Sequence, residues 1–278
     1  MINLLKGEFY KLFKSRAFYI CAVVAVVSVI FVYGMLITAD GIEKGKIENG
    51  TVGVHVYEDS RQDDAVSLLE QMTSLDVLQQ LYGSFGGFIT VVFVSIFVVG
   101  EYTNGAVKNV VGKGYTRGKI FAAKYISTSA ATALLQLVIT VVSILCGSVI
   151  LTDQTFDSAF LKDMFQFVGI QFLLGTGLSG VGILIAELCR TLGAGITISI
   201  GIVTFSTMVT GALDLLVRLA MPDTKFSFAD YWLLDLMEKC PLKDIGTDFA
   251  VRTVFVGIAW LVFTAGFGAL HFKKADIK

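Results

Sequence analysis

The sequence predicts an all-α integral membrane protein: one transmembrane domain over residues 1–278, with six spanning helices and both termini cytoplasmic. Three observations carry this. Hydrophobic residues make up 55% of the chain and charged residues only 16%, where a soluble domain carries about 25% charged residues. Six apolar windows, 17–39, 82–100, 127–151, 166–186, 193–213 and 253–272, follow one another along the chain. Each supplies the roughly 20 residues a helix needs to cross a hydrocarbon layer about 30 Å thick. Lys and Arg are unevenly divided between the connections. There are 13 in the 54 residues of 1–16, 101–126, 187–192 and 273–278, against 9 in the 95 residues of 40–81, 152–165 and 214–252. The denser set faces the cytoplasm under the positive-inside rule. Acidic residues divide the other way, 4 inside against 19 outside. Barrel strands are set aside, because the windows run to about twice the length a spanning strand needs and lack strict alternation.

Ahead of the first window, Ile2, Leu5, Phe9, Leu12 and Phe13 recur at helical spacing, with Lys6, Lys11 and Lys14 on the remaining surface. That pattern predicts an amphipathic helix lying on the inner leaflet; the alternative is a plain extension of the first span. The 23-residue first window exceeds the roughly 7–15 residues of a cleavable signal core, so it reads as an uncleaved anchor.

In the outer loop 40–81, Asp63 and Asp64 suit a helix N-terminus. Leu68, Met72, Leu75 and Leu78 then continue as a stripe into span two. A helix rising above the membrane and packed on its neighbours is expected there, with a substrate lid as the alternative. Asn49-Gly50-Thr51 is a glycosylation acceptor sequence. Gly83 and Gly87 open span two, and spans four and five carry Gly169, Gly175, Gly177, Gly180, Gly182, Gly193, Gly195 and Gly201. These read as surfaces for close helix approach in lipid, with hinges as the alternative. Asp214 and Arg218, four apart, predict an intrahelical ion pair. In the last outer segment Ser227 to Asp230 fits a capping box. Phe228, Tyr231, Trp232, Leu236 and Met237 follow at helical intervals and read as headgroup anchors rather than an aromatic ligand box.

Enzymatic chemistry finds little support. The chain has two histidines, His55 and His271, and no Gly-x-Ser-x-Gly elbow. Cys21, Cys146, Cys189 and Cys240 stand at no metal-ligand or redox spacing. The six windows hold no Asp, Glu, Lys or Arg, which argues against proton relays and voltage sensors. No repeat aligns spans one to three with four to six, against the repeat-built carriers. Gly112 and Gly118 are separated by five residues where a phosphate loop needs four, and Ile120 stands where Ser or Thr would hold magnesium. Leu178-Ser-Gly-Val-Gly182 resembles the start of an ATPase signature but lies inside span four. No nucleotide, metal or other cofactor is expected on this chain.

The remaining constellation is Glu101 to Lys124. A helix over 102–111, broken by Gly112 and Gly114, and a second helix from Arg117 into span three are expected. The segment resembles the cytoplasmic loop of ATP-binding-cassette (ABC) transporter permeases of the type-two export class. Matching positions are Glu101, Gly105, Lys108, Val110, Val111, Arg117 and Lys124. Ala106 replaces the usual Thr, Gly114 the Pro and Thr116 the Ser. Leu5 to Arg16 resembles that family's amphipathic N-terminal helix, and Phe272 to Asp276 its closing Phe-x-x-x-Asp pattern.

The resemblance implies a multi-pass permease of a bacterial plasma membrane, paired with a second copy or a paralogue. It further implies cytoplasmic ATPase subunits that carry the ATP and Mg and push on Glu101–Lys124. An amphipathic or hydrophobic substrate, such as a peptide antibiotic, drug or lipid, would then move outward, as in antibiotic immunity or resistance. Membrane lipids are the other expected partner, and nucleic acid is not one. A secondary carrier or channel without an ATPase partner is the alternative.

Overall fold

The computed structural model describes residues 1–48, 72–151, 157–221, 224, 226–242 and 245–274, with the side chains of 42–48, 84 and 107–109 excepted. Among these residues every regular element is helical. The expected helix start at Asp63 and Asp64, Leu68 of the stripe, the Asn49 sequon and the closing Asp276 lie outside the described residues.

Helix α1 (Ile2–Lys14) ends at Ser15, whose backbone is extended, and α2 (Arg16–Glu48) starts afresh. The N-terminal helix is therefore an element of its own. Its buried line is Leu4, Glu8 and Leu12; Leu5 and Phe9 are half-buried against the core, while Ile2 and Phe13 are exposed. The helix is thus turned from the face that apolar spacing predicts, because Glu8 points into the protein. On α2, Phe18, Cys21, Ala25, Val29 and Tyr33 face inward, and Ile20, Val23, Val27, Ile30 and Phe31 face out. A helix apolar on both faces suits a lipid surround.

Helix α3 (Ser74–Leu81), a π-helical turn (Tyr82–Gly86) and α4 (Gly87–Thr103) form one unbroken helical run. A capping box starts it: Thr73 donates its backbone N–H and its hydroxyl to Asp76 Oδ2, both at 2.6 Å. There follow α5 (Ala106–Gly112), α6 (Arg117–Ile150), α7 (Ser158–Cys189) and α8 (Leu192–Ala220), then a 3₁₀ turn (Phe228–Asp230), α9 (Leu233–Lys239) and α10 (Thr247–Lys274). Five described helices, α2, α6, α7, α8 and α10, are long and apolar enough to cross a membrane. Helix α4 is apolar but shorter, at 17 residues.

Helix α7 is the hub, packed against α4, α6, α8, α9 and α10. In its most apolar stretch 67% of residues are buried, against 11% in α8. Because lipid tails are as apolar as the side chains, packing and hydrogen bonds must hold such helices together. Hydroxyls supply many of the bonds. Tyr33 donates to the Ser143 carbonyl at 2.8 Å, and the Tyr82 hydroxyl meets Thr140 Oγ1 at 2.6 Å. Ser95 meets Ser199 at 3.0 Å, and Tyr125 meets Thr264 at 2.9 Å.

Glycines supply the close approaches. A Cβ at Gly175 would run into Gln136, and one at Gly180 into Thr264 and Tyr125. At Gly87 it would meet Leu234 at 3.1 Å, and at Gly195 Val99 at 3.3 Å. Gly83 is looser, 3.9 Å from Glu238. Gly169, Gly193 and Gly201 differ from the sequence expectation, since nothing lies within 4 Å of a Cβ there.

Two local readings are corrected in the last outer segment. Asp214 does not pair with Arg218. It accepts the Ser227 hydroxyl at 2.5 Å and the Phe228 N–H at 2.5 Å, so it caps the 3₁₀ turn from a distance. Ser227 precedes that turn without a side-chain cap of its own, and the true α-helix begins only at Leu233. Two backbone N–H groups, of Phe228 and Ala229, and one hydroxyl at a turn outweigh an exposed ion pair, which contributes little in water.

These contacts separate two glycine classes. Gly180→Ala is expected to lower stability by about 1–3 kcal/mol through overpacking, and Gly201→Ala to change it by less than about 1 kcal/mol. Denaturant titration of the purified protein in mixed micelles reads both.

Candidate functional site

The segment between α4 and α6 is shaped by two glycines. Gly105 (φ 66) and Gly114 (φ 82) adopt the left-handed backbone, which costs other L-residues roughly 1–2 kcal/mol. They flank α5. The expected helix over 102–111 is thus divided. Helix α4 carries Tyr102 to its end at Thr103, Gly105 breaks the chain, and Gly112 is the last residue of α5 rather than its breaker. Val110 and Val111 are half-buried against the core, and Gly112, Lys113 and Gly114 are exposed. Thr116 is the exposed N-cap of α6. Arg117 donates to the Lys273 carbonyl in the last turn of α10 at 3.0 Å, satisfying an acceptor that the helix end leaves open. The side chain of Lys108 lies outside the described residues.

Beneath this segment is a buried ionic cluster drawn from four helices. Glu101, near the end of α4, takes Lys11 of α1 at 3.0 Å and Lys124 of α6 at 3.2 Å. Lys11 also holds Glu8 at 2.7 Å. Lys124, its side chain only 2% exposed, lies 3.9 Å from Glu187 of α7 and 4.4 Å above the Tyr102 ring. Arg190 approaches the same ring at 5.9 Å from a left-handed backbone (φ 52) at the end of α7. A cleft of about 360 Å³ opens beside the cluster, bordered by Lys11, Ser15, Gly100, Glu101 and Asn104.

Burial and the neighbouring Glu101 carboxylate hold the Glu8 carboxyl above its usual range, against the pull of Lys11. Burial works against the Lys11 ammonium, but Glu101 and Glu8 outweigh it and its pKa is raised.

Of the residues singled out in the sequence, the structure brings Glu101 and Lys124 together. It sets Gly105 and Gly114 at the two breaks, and ties Arg117 to α10. Sequence reasoning missed Glu8, Lys11, Glu187 and Tyr102 as members of one site. The available signal was scarcity. Three of the four acidic residues in the basic connections, Glu8, Glu101 and Glu187, converge here. Among the described residues no group of three or more His, Cys, Asp or Glu is placed to hold a metal ion.

A family model described as an ABC-2 family transporter protein matches residues 4–211, from α1 through most of α8. No curated protein matches the chain.

The cluster makes its variants differ in size of effect. Lys124→Met strips the shared counter-charge from buried Glu101 and Glu187 and is expected to cost about 3–5 kcal/mol. Glu8→Gln should cost less than Glu101→Gln. With its folded-state pKa raised, Glu8 contributes stability that is full below the ordinary carboxylate range. That contribution is lost as pH rises through the raised value. Glu8→Gln should flatten that part of the stability–pH profile, measured by unfolding midpoints across mildly acidic to neutral buffers.

Proposed function

The chain belongs to the ABC-2 transporter family, and on that premise we propose that it is the membrane-spanning subunit of an ATP-driven exporter. Six helices cross the plasma membrane, the sixth being the run from the π-turn through α4. Both chain ends lie in the cytoplasm. Separate ATPase subunits bind ATP and Mg and press on α5. A second copy or paralogue completes the pathway, for which the sparsely covered α8 offers a surface. The cargo is an amphipathic or hydrophobic molecule, with peptide antibiotics, drugs and lipids as the candidate classes.

One observation carries the coupling role. Helix α5 is a short unit between two glycine breaks, with an exposed C-terminal end and with its flanks clamped to α4, α6 and α10. A force on α5 is delivered to α4 and α6 together through Glu101–Lys124, rather than dissipated in a slack loop. The positive-inside distribution supports the side on which it lies.

Arg117→Glu, which replaces the Lys273 contact with repulsion of a carbonyl, should abolish substrate-stimulated ATP hydrolysis while membrane insertion is kept. Proline at Val110, inside α5, should do the same. Both are read on the chain reconstituted with its ATPase. Unchanged stimulation would remove the coupling role. Transport driven by an ion gradient with no ATPase co-purifying would favour a secondary carrier instead.

A further inference from the structure

At the end of the bundle opposite the ionic cluster, a cavity of about 550 Å³ lies between α3, the π-turn, α8 and α9. Its size falls in the roughly 300–1,000 Å³ range of small-molecule sites. Its walls divide by chemistry. Phe88, Val203 and Leu234 give an apolar side; Thr204, Thr207, Asp76 and Glu238 give a polar one. Among the described lining residues there are two carboxylates and no Lys, Arg or His. Glu238 is exposed and forms no ion pair with a described residue. One oxygen of Asp76 is held by Thr73. The carboxylates come from different helices, α3 and α9. Gln79 pins those two helices together by donating to the carbonyls of Glu238 at 2.8 Å and Cys240 at 3.1 Å. The α3 and α9 walls are thus held together before any ligand arrives, which spares part of the ordering cost of binding.

We propose that this cavity binds organic cations with an apolar body. The charge rests between Asp76 and Glu238, and the body lies against Phe88 and Val203. A bare metal ion fits poorly, because it needs several oxygens converging at about 2.0–2.6 Å. An anion would meet two carboxylates and no basic side chain among the described lining residues. Gly83 of the π-turn lines the cavity, and π-turns are frequent at functional sites. The inference rests on the reading of the chain as a transport subunit and narrows its substrate class to cationic amphipaths.

Tetraphenylphosphonium and tetraphenylborate have one shape and opposite charge, which makes them the probes of choice. Equilibrium dialysis against the full chain in detergent, corrected for empty micelles, is expected to show saturable binding of the phosphonium and none of the borate. Glu238→Gln should weaken the phosphonium about tenfold, equivalent to about 1.4 kcal/mol. Glu238→Lys and Gln80→Lys, exposed positions on two different helices, should each abolish its binding. Equal binding of both ions, no saturable phosphonium binding, or phosphonium affinity unmoved by the lysine variants would overturn the proposal. No ATPase enters this measurement. Loss of stimulation in Arg117→Glu with phosphonium binding intact therefore bears on the coupling role alone.

Discussion

The structure depends on one constraint: charges carried to the edge of a hydrocarbon layer must find partners there. Glu101 ends the apolar part of α4, Lys124 opens that of α6, and Glu187 closes that of α7. None can retreat far into water, and each lies beside at least one opposite charge. The resulting network fixes the relative height of three helices and pulls α1 onto them through Lys11. Removing one partner from such a buried set is far more damaging than the set's own net worth. Its value lies in register rather than in raw stability.

Away from that end, the bundle is held by a different currency of contact. Small residues on α7 let α6 and α10 approach, and hydroxyls bridge to backbone or to each other. Each bridge in a membrane is worth on the order of 0.6–2 kcal/mol, enough to specify an arrangement yet weak enough to be exchanged. Helix α7 is enclosed on most sides, whereas α8 is covered on few. The fold thus has a fixed centre and a peripheral rod.

Helical class and five of the long apolar helices were legible in the sequence, because apolar length is a local, additive signal. Helix ends were less so. Helix α7 starts at Ser158 and α8 runs to Ala220, beyond the apolar windows, because helices continue into polar surroundings where hydropathy no longer marks them. At the segment between α4 and α6, residue types pointed to Glu101, Arg117 and Lys124. They did not reveal that Gly105 rather than Gly112 ends the first helix, since glycine tolerates both helical and left-handed backbones. The wider cluster was illegible for another reason. Glu8, Glu101 and Glu187 are far apart along the chain, and only the packing of α1, α4 and α7 makes them neighbours. Asp214 shows the same limit: its spacing to Arg218 suggested a local pair, while a distant turn offered better donors.

The chain has two tryptophans, one just ahead of α9 and the other midway along α10. Trp232 directly precedes α9, and Trp260 meets it edge-on with ring centroids 5.2 Å apart. Trp260 also donates to the Tyr231 carbonyl at 3.0 Å. All indole fluorescence of this protein therefore originates from one spot that joins α9 to α10. Its emission is an intrinsic, label-free optical readout of rearrangement there, undiluted by signal from the rest of the molecule.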